Sequence, residues 1–210
     1  MNKIFTSLLL IVSVVLIQLP TAANAAGAEK SERKTQLVGP AVGKKVAKAF
    51  ELYSADDIPG ALVLLLDIEA NKTFDRAYVD RFIAVMYATL GNEETKAIQY
   101  LKAAVKPDIL NEGDHGDSIK LLADLQMQTK DYAGALVNYK AWMDFTGKSD
   151  GDTWTKMANA HYMLKQLDKM IVPADNAIAA YGDKQNKNPY ILKITSYYET
   201  KKFQEAVKTL

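Results

Sequence analysis

Asp131-Tyr132-Ala133-Gly134-Ala135-Leu136 is the stretch whose reading decides the fold. A polar turn residue leads directly into small residues at the start of a helix-forming run. The phrase has four counterparts: Asp57-Ile58-Pro59-Gly60-Ala61-Leu62, Glu93-Glu94-Thr95-Lys96-Ala97-Ile98, Leu167-Asp168-Lys169-Met170-Ile171 and Phe203-Gln204-Glu205-Ala206-Val207. Aligned on Ala61, Ala97, Ala135, Met170 and Ala206, they recur at intervals of 36, 38, 35 and 36 residues. A period of this size, with helical patterning on both sides of a tight turn, is the signature of stacked helix–turn–helix units. No such unit can bury its apolar face alone, so the units must stack. The predicted fold is all-α: an α-solenoid of about five helix–turn–helix repeats, the last incomplete.

Outward from the turns, each unit shows the expected apolar stripe. Val46, Ala49, Phe50 and Tyr53 recur at three- and four-residue steps, as do Ile119, Leu122, Ala123 and Leu125 further on. Pro59 is tolerated because it falls in the first turn of its helix. Gly91-Asn92 ends the first helix of the second unit, and this corner is one residue longer than the others. Pro173 lies near the start of its helix and predicts a late start or a kink there. Small residues stand where paired helices must cross closely: Ala49, Ala84, Ala123 and Ala158 on first helices, Ala61, Ala97, Ala135 and Ala206 on second helices. Met170 breaks the second series. This spacing and chemistry resemble tetratricopeptide repeats over residues 42–210.

The 210-residue chain opens with the pattern of an export signal. Met1-Asn2-Lys3 gives a positive start, Ile4 to Leu19 is mostly apolar, and Ala23-Asn24-Ala25 supplies a small-x-small cleavage pattern before Ala26. The expected organisation is a signal peptide over 1–25, a flexible polar segment over 26–41 and the solenoid over 42–210, with the mature protein in the periplasm. There is no cysteine, so no disulfide framework is available and packing must supply the stability. The full chain has 26 basic and 25 acidic residues, and removal of Lys3 with the signal leaves 25 of each. A balanced chain with no basic run in the mature region longer than Lys44-Lys45 has little to offer nucleic acid. Membrane association is expected only through partners.

Constellations for chemistry are sparse. His115, between Asp114 and Asp117, reads as part of a polar bridge from Asn111 to Gly116, with Asp117 or Ser118 capping the next helix. Ser149-Asp150-Gly151-Asp152 lacks the ligand pattern of a calcium loop and reads as a helix cap. His161 is expected to be packed and hydrogen-bonded. No nucleophile elbow, phosphate loop or histidine pair at i, i+4 occurs. No cofactor, no metal and no catalytic residue is assigned, and the chain is read as a non-enzyme. Trp142 and Trp154 are assigned to the junction of the third and fourth units.

The binding surface expected of such an array is its inner face, lined by first helices. Helical phase places Arg81, Val85, Lys120, Asp124, Met127, Asn159, Tyr162 and Tyr198 there, a mixture suited to an extended peptide or a helix. The paired lysines and asparagines of a carboxylate clamp are not repeated; Asn159 alone comes near.

Two segments go beyond the general repeat. Val42-Gly43-Lys44-Lys45-Val46 through Tyr53, and Asn186-Lys187-Asn188-Pro189-Tyr190-Ile191-Leu192-Lys193 through Tyr198, resemble a tetratricopeptide-repeat component of the TonB energy-transduction system of marine gamma-proteobacteria. Tyr100-Leu101-Lys102 to Leu110-Asn111 and Trp142-Met143-Asp144-Phe145-Thr146 fit the same resemblance. It implies a periplasmic accessory to TonB, ExbB and ExbD in outer-membrane uptake, and it implies further repeats after residue 210. Two other readings stand beside it: a general adaptor for outer-membrane or peptidoglycan assembly, and the repeat portion of a larger enzyme. Tyr197, Phe203, Val207 and Leu210 are expected to leave an apolar end open to further repeats or to end-to-end self-association.

Overall fold

Among the described residues ten α-helices pair in sequence as five antiparallel hairpins. The computed structural model describes residues 33–182 and 186–210. The signal-peptide reading of 1–25 lies outside the described residues, as does the 26–32 part of the lead-in. The first helices are α1 (Pro40–Ser54), α3 (Thr73–Leu90), α5 (Glu112–Gln128), α7 (Gly151–Met163) and α9 (Asn188–Glu199). Their partners are α2 (Ile58–Leu66), α4 (Glu94–Val105), α6 (Tyr132–Thr146), α8 (Ile171–Tyr181) and α10 (Phe203–Thr209). Each second helix also packs on the next first helix, so the core is a chain of clusters rather than one centre. One cluster joins Val46, Ala49 and Leu65 of the first unit to Ile83 and Met86 of the second. The next joins Ala97 and Leu101 to Leu122 and Leu125. A third joins Ala123, Ala135 and Tyr139 to Met157.

All the predicted crossing residues are buried. Ala84, Ala123, Ala158, Ala61, Ala97 and Ala135 are completely inaccessible, and so is Met170. Gly116 and Gly151 form a second close-approach series that the alanine pattern did not reveal. A Cβ on Gly116 would stand 2.9 Å from the Thr146 methyl, and one on Gly151 would stand 2.7 Å from the Tyr181 ring. Both glycines let the start of a first helix touch the end of its own partner.

The turns repeat with the same period as the alanines. Asp56, Asn92, Lys130, Lys165 and Lys201 all have positive φ, between 58° and 66°. After four of these residues the next N–H reaches back five positions: Asp57 to Leu52 O, Asp131 to Gln126 O, Gln166 to His161 O and Lys202 to Tyr197 O. This is the Schellman closure, in which one left-handed residue satisfies carbonyls at the end of the first helix. In the second unit the extra residue is absorbed by Gly91, at φ 74° and ψ 159°, just before Asn92. Asp57 and Asp131 then cap the second helices, accepting from Gly60 N at 2.9 Å and Gly134 N at 3.0 Å. In the fourth unit Gln166 takes that place and makes no cap bond. Leu167–Met170 forms a 3₁₀ turn, and α8 starts only at Ile171, two residues before Pro173. The late start expected from Pro173 is what the chain adopts.

Two boundaries differ from the sequence reading. Helix α5 begins early, at Glu112, where a polar first turn conceals the helical phase. Asn111–Gly116 is therefore not a bridge but the N-cap and first turns of α5, and Asp117 and Ser118 lie inside that helix. The larger difference concerns the lead-in expected to be flexible over 26–41. Its described part, 33–39, is neither helix nor strand but is tied down, and α1 starts at Pro40 because proline suits the first helical position. Arg33 donates to the carbonyls of Asp108 and Leu110, each at 3.0 Å, and pairs with the Asp108 carboxylate. Its guanidinium lies 4.7 Å from the centre of the Phe145 ring. Asn111 spends its side chain on this strap instead of on its own helix: Oδ1 accepts from Gln36 N at 2.8 Å and Nδ2 donates to Gln36 O at 3.1 Å. Asp75 accepts from Gly39 N at 3.0 Å.

His115 lies beneath the strap. It is 5% exposed, packs on Phe145, and places Nε2 3.1 Å from the Asp108 carboxylate. Its buried Nδ1 has no hydrogen-bond partner among the described residues. Burial, and after it the Arg33 guanidinium, hold the imidazole below the ordinary histidine value against the pull of Asp108. A second proton would sit on a nitrogen with nothing to receive it.

Two outcomes follow from these features. Lys130→Gly relieves a left-handed non-glycine residue and should raise stability by about 0.5–1 kcal/mol, read as an upward shift of the urea midpoint. At His115 the folded chain resists the proton that the unfolded chain accepts below the ordinary value of 6.5. Stability from this corner is therefore complete above that pH and falls as the pH drops through it toward the depressed native value. His115→Phe should flatten the pH dependence of the urea midpoint between about pH 7.5 and about pH 5.5; an unchanged slope would show that the imidazole does not control it.

Candidate functional site

The eight residues expected on the inner face are placed in three different situations. Arg81, Lys120 and Asp124 are engaged within the chain. Arg81 of α3 pairs with Asp114 of α5 at 3.1 Å. Lys120 of α5 reaches Asp150, the N-cap of α7, at 2.7 Å and lies 4.2 Å from the centre of the Trp142 ring. Asp124 of α5 accepts from Lys156 of α7 at 2.6 Å and from the Tyr139 hydroxyl of α6, also at 2.6 Å. Each ion pair joins a unit to the next, so these side chains staple the array along its first helices. Val85 and Met127, also expected in the groove, are half-buried against the first and third core clusters.

Asn159, Tyr162 and Tyr198 remain. Asn159 is exposed on α7, and its amide has no hydrogen-bond partner among the described residues. Tyr162, one turn on, is half-buried with Lys165 5.2 Å from its ring centre. Tyr198 of α9 is 65% exposed and meets Phe203 edge-on at 5.6 Å. Asn159 opens into a cavity of about 350 Å³ between α7 and α9. Asp152, Thr155, Lys156, Tyr181, Asn186 and Asn188 also line it, and Ile191 and Leu192 supply apolar wall. Ile191 is 56% exposed. Sequence reading missed Ile191, Asn186 and Asn188 as lining residues. Asn188-Pro189, opening α9, was the signal that could have located them.

Lys156, which lines this cavity, and Asp150 nearby are held in ion pairs. Burial alone would lift the Asp150 carboxyl, but the Lys120 ammonium and the Thr153 N–H outweigh it and hold it below the usual carboxylate range. The Thr153 bond, at 2.7 Å, is the cap expected for Ser149–Asp152. Tyr139 is fully buried; burial, then its bond to the Asp124 carboxylate, keep its phenol far above the ordinary value and hence protonated. The Tyr181 hydroxyl donates to Asp152. His161 is half-buried with Nδ1 2.8 Å from Gln166 Oε1, as expected of a packed histidine. Trp142 is buried on α6, and Trp154 packs on the third cluster. Among the described residues no group of three or more histidine, cysteine, aspartate or glutamate side chains could hold a metal ion. No described helix is long and apolar enough to cross a membrane.

The sequence matches no family model and no curated protein. Solved structures do match. The chain is similar to MamA of strain AMB-1 at 15% identity and a TM-score of 0.65, over 80% of this chain and 87% of that one. MamA from Desulfovibrio magneticus RS-1, from its residue 41 onward, gives 14% identity and a TM-score of 0.64, over 82% and 93%. A Podosopora anserina protein of nearly identical TPR-like repeats gives 13% identity and 0.55, over 80% and 91%. At these identities the likeness is one of fold. The chain is a tetratricopeptide-type α-solenoid.

Asp124 tests the staple. Asp124→Ala leaves the buried Tyr139 hydroxyl without an acceptor and should cost about 1–3 kcal/mol in urea denaturation. Asp124→Asn keeps that acceptor and loses only a part-exposed ion pair, so it should cost less than about 1 kcal/mol. Equal costs for the two would remove Tyr139 from the account.

Proposed function

We propose that the chain is a non-catalytic periplasmic adaptor that holds a segment of a protein partner on its inner face, and that it serves TonB-dependent uptake through outer-membrane receptors. The observation that carries the binding role is the arrangement along α7 and α9. The exposed Asn159 amide, without a hydrogen-bond partner among the described residues, borders a cavity large enough for a side chain, walled by Ile191 and Leu192 of α9, and α7 is tied to α5 by two ion pairs. Such a surface is ordered before the partner arrives, so little conformational entropy is lost on binding. The Ala23-Asn24-Ala25 pattern supports export, and the resemblance of residues 42–53 and 186–198 to the TonB-system repeat component supports the pathway. TonB, ExbB or ExbD, or a receptor segment that engages them, is the partner on this reading.

Deleting the gene should slow growth when iron arrives only through a TonB-dependent receptor and leave iron-replete growth unchanged. A photo-crosslinking residue in place of Tyr162 should capture a component of the TonB complex from the periplasm. Normal receptor-dependent uptake in the deletion strain would overturn the TonB assignment. A crosslink to an outer-membrane or peptidoglycan assembly factor instead would favour the general envelope adaptor.

A further inference from the structure

Residues 33–36 lie on the corner between α4 and α5 as a ligand lies on a receptor. Both ends of the Asn111 amide engage the backbone of one residue, Gln36, accepting from its N–H at 2.8 Å and donating to its C=O at 3.1 Å. The Gln36 side chain adds a bond from Nε2 to Ile109 O at 3.2 Å. The Arg33 guanidinium meets the carbonyls of Asp108 and Leu110, the Asp108 carboxylate and the ring of Phe145. Two carbonyls, a carboxylate and an aromatic face suit a planar fork, which an ammonium lacks. Asp108 itself stands at φ 50°. Among the described residues it is the only non-glycine residue with positive φ outside the five repeat turns. The two later corners between units use glycine for their left-handed position, at Gly147 and Gly182. A corner needed only to reverse the chain would be better served by glycine; this one keeps a carboxylate there at a conformational cost.

The strap is also jointed. Gly39 is fastened to Asp75 at 3.0 Å and Val38 packs on the first core cluster, so the chain next to α1 stays anchored. Between that anchor and Gln36, Leu37 is 89% exposed, and Lys34, Thr35 and Gln36 are exposed as well. Release of 33–36 at Leu37 uncovers no apolar side chain of the strap. Water can replace its bonds to a corner whose Asp108 side chain is 68% exposed. What the corner grips, an arginine and the backbone three residues on, is available in any non-helical segment that carries an arginine. We infer that this corner is a second peptide site, separate from the cavity between α7 and α9. It takes a non-helical, arginine-bearing segment of a partner protein, and residues 33–36 are the internal occupant which that segment displaces.

The test titrates the full chain by calorimetry with a synthetic peptide of residues 33–39, acetylated and amidated. Arg33→Ala and, independently, Gln36→Pro loosen the strap without altering the corner, and circular dichroism checks that each keeps its helices. Each variant should bind the peptide at least about tenfold more tightly than the wild-type chain, whose internal occupant leaves fewer corners open. The same peptide carrying Arg33→Lys should bind at least about tenfold more weakly. Asn111→Ala, added to Arg33→Ala, should weaken the original peptide by about tenfold. Binding that is equal for the wild-type chain and the folded variants would place the peptide elsewhere and overturn the inference. No binding to any folded variant would show that the corner holds its strap only within the chain, and would overturn it too. Equal affinity for the lysine peptide would remove guanidinium recognition. A wild-type dimer that the peptide dissociates would make the occupant a second copy of this chain and overturn the assignment to a partner.

Discussion

Two antiparallel helices approach to 8–10 Å only where side chains are missing at the crossing. Ala49, Ala84, Ala123 and Ala158, with Ala61, Ala97 and Ala135 on the partner helices, meet that condition, and all are buried. Much else depends on it. A close pair needs a tight corner, and the corner needs a left-handed residue, which is why Asp56, Asn92, Lys130, Lys165 and Lys201 recur in step with the alanines. Where Met170 fills the small position, the corner is not remade as a capped helix start. It becomes a 3₁₀ turn with the helix delayed to Ile171.

The ion pairs between units do a different task. Stacking by apolar contact alone fixes the distance between hairpins more firmly than their register. Lys120–Asp150 and Lys156–Asp124 cross the third interface in opposite senses, one from α5 to α7 and one back. A slip of one helical position would break both. Partly exposed pairs of this kind add little net stability, so their value lies in selecting one register over its neighbours. The Asp124 carboxylate serves both aims, since it also accepts from the buried Tyr139 hydroxyl.

The fold was legible because its determinants are local. A small residue, a polar corner and an apolar stripe lie within a dozen positions of one another and return on a fixed period. The strap was not legible. Arg33 and Asp108 are 75 residues apart, and nothing in a Glu-Arg-Lys sequence signals a docked segment. The candidate site was half legible. Helical phase brought Asn159, Tyr162 and Tyr198 to accessible positions, but it could not show that Arg81, Lys120 and Asp124 would be taken by partners on neighbouring units.

The strap has a consequence for the order of events as the chain folds. An array of hairpins can nucleate at any unit and grow by neighbouring contacts, each closing a loop of a few dozen residues. Residues 33–39 instead meet Asp75 and Asp108–Asn111, which do not stand together until α3, α4 and the start of α5 are in place. The earliest part of the described chain is therefore among the last to settle. A molecule otherwise built from short-range contacts acquires one long-range closure, and with it a slow final step. The same closure bridges the second and third units, so fraying of either must first release Arg33 from the carbonyls of Asp108 and Leu110.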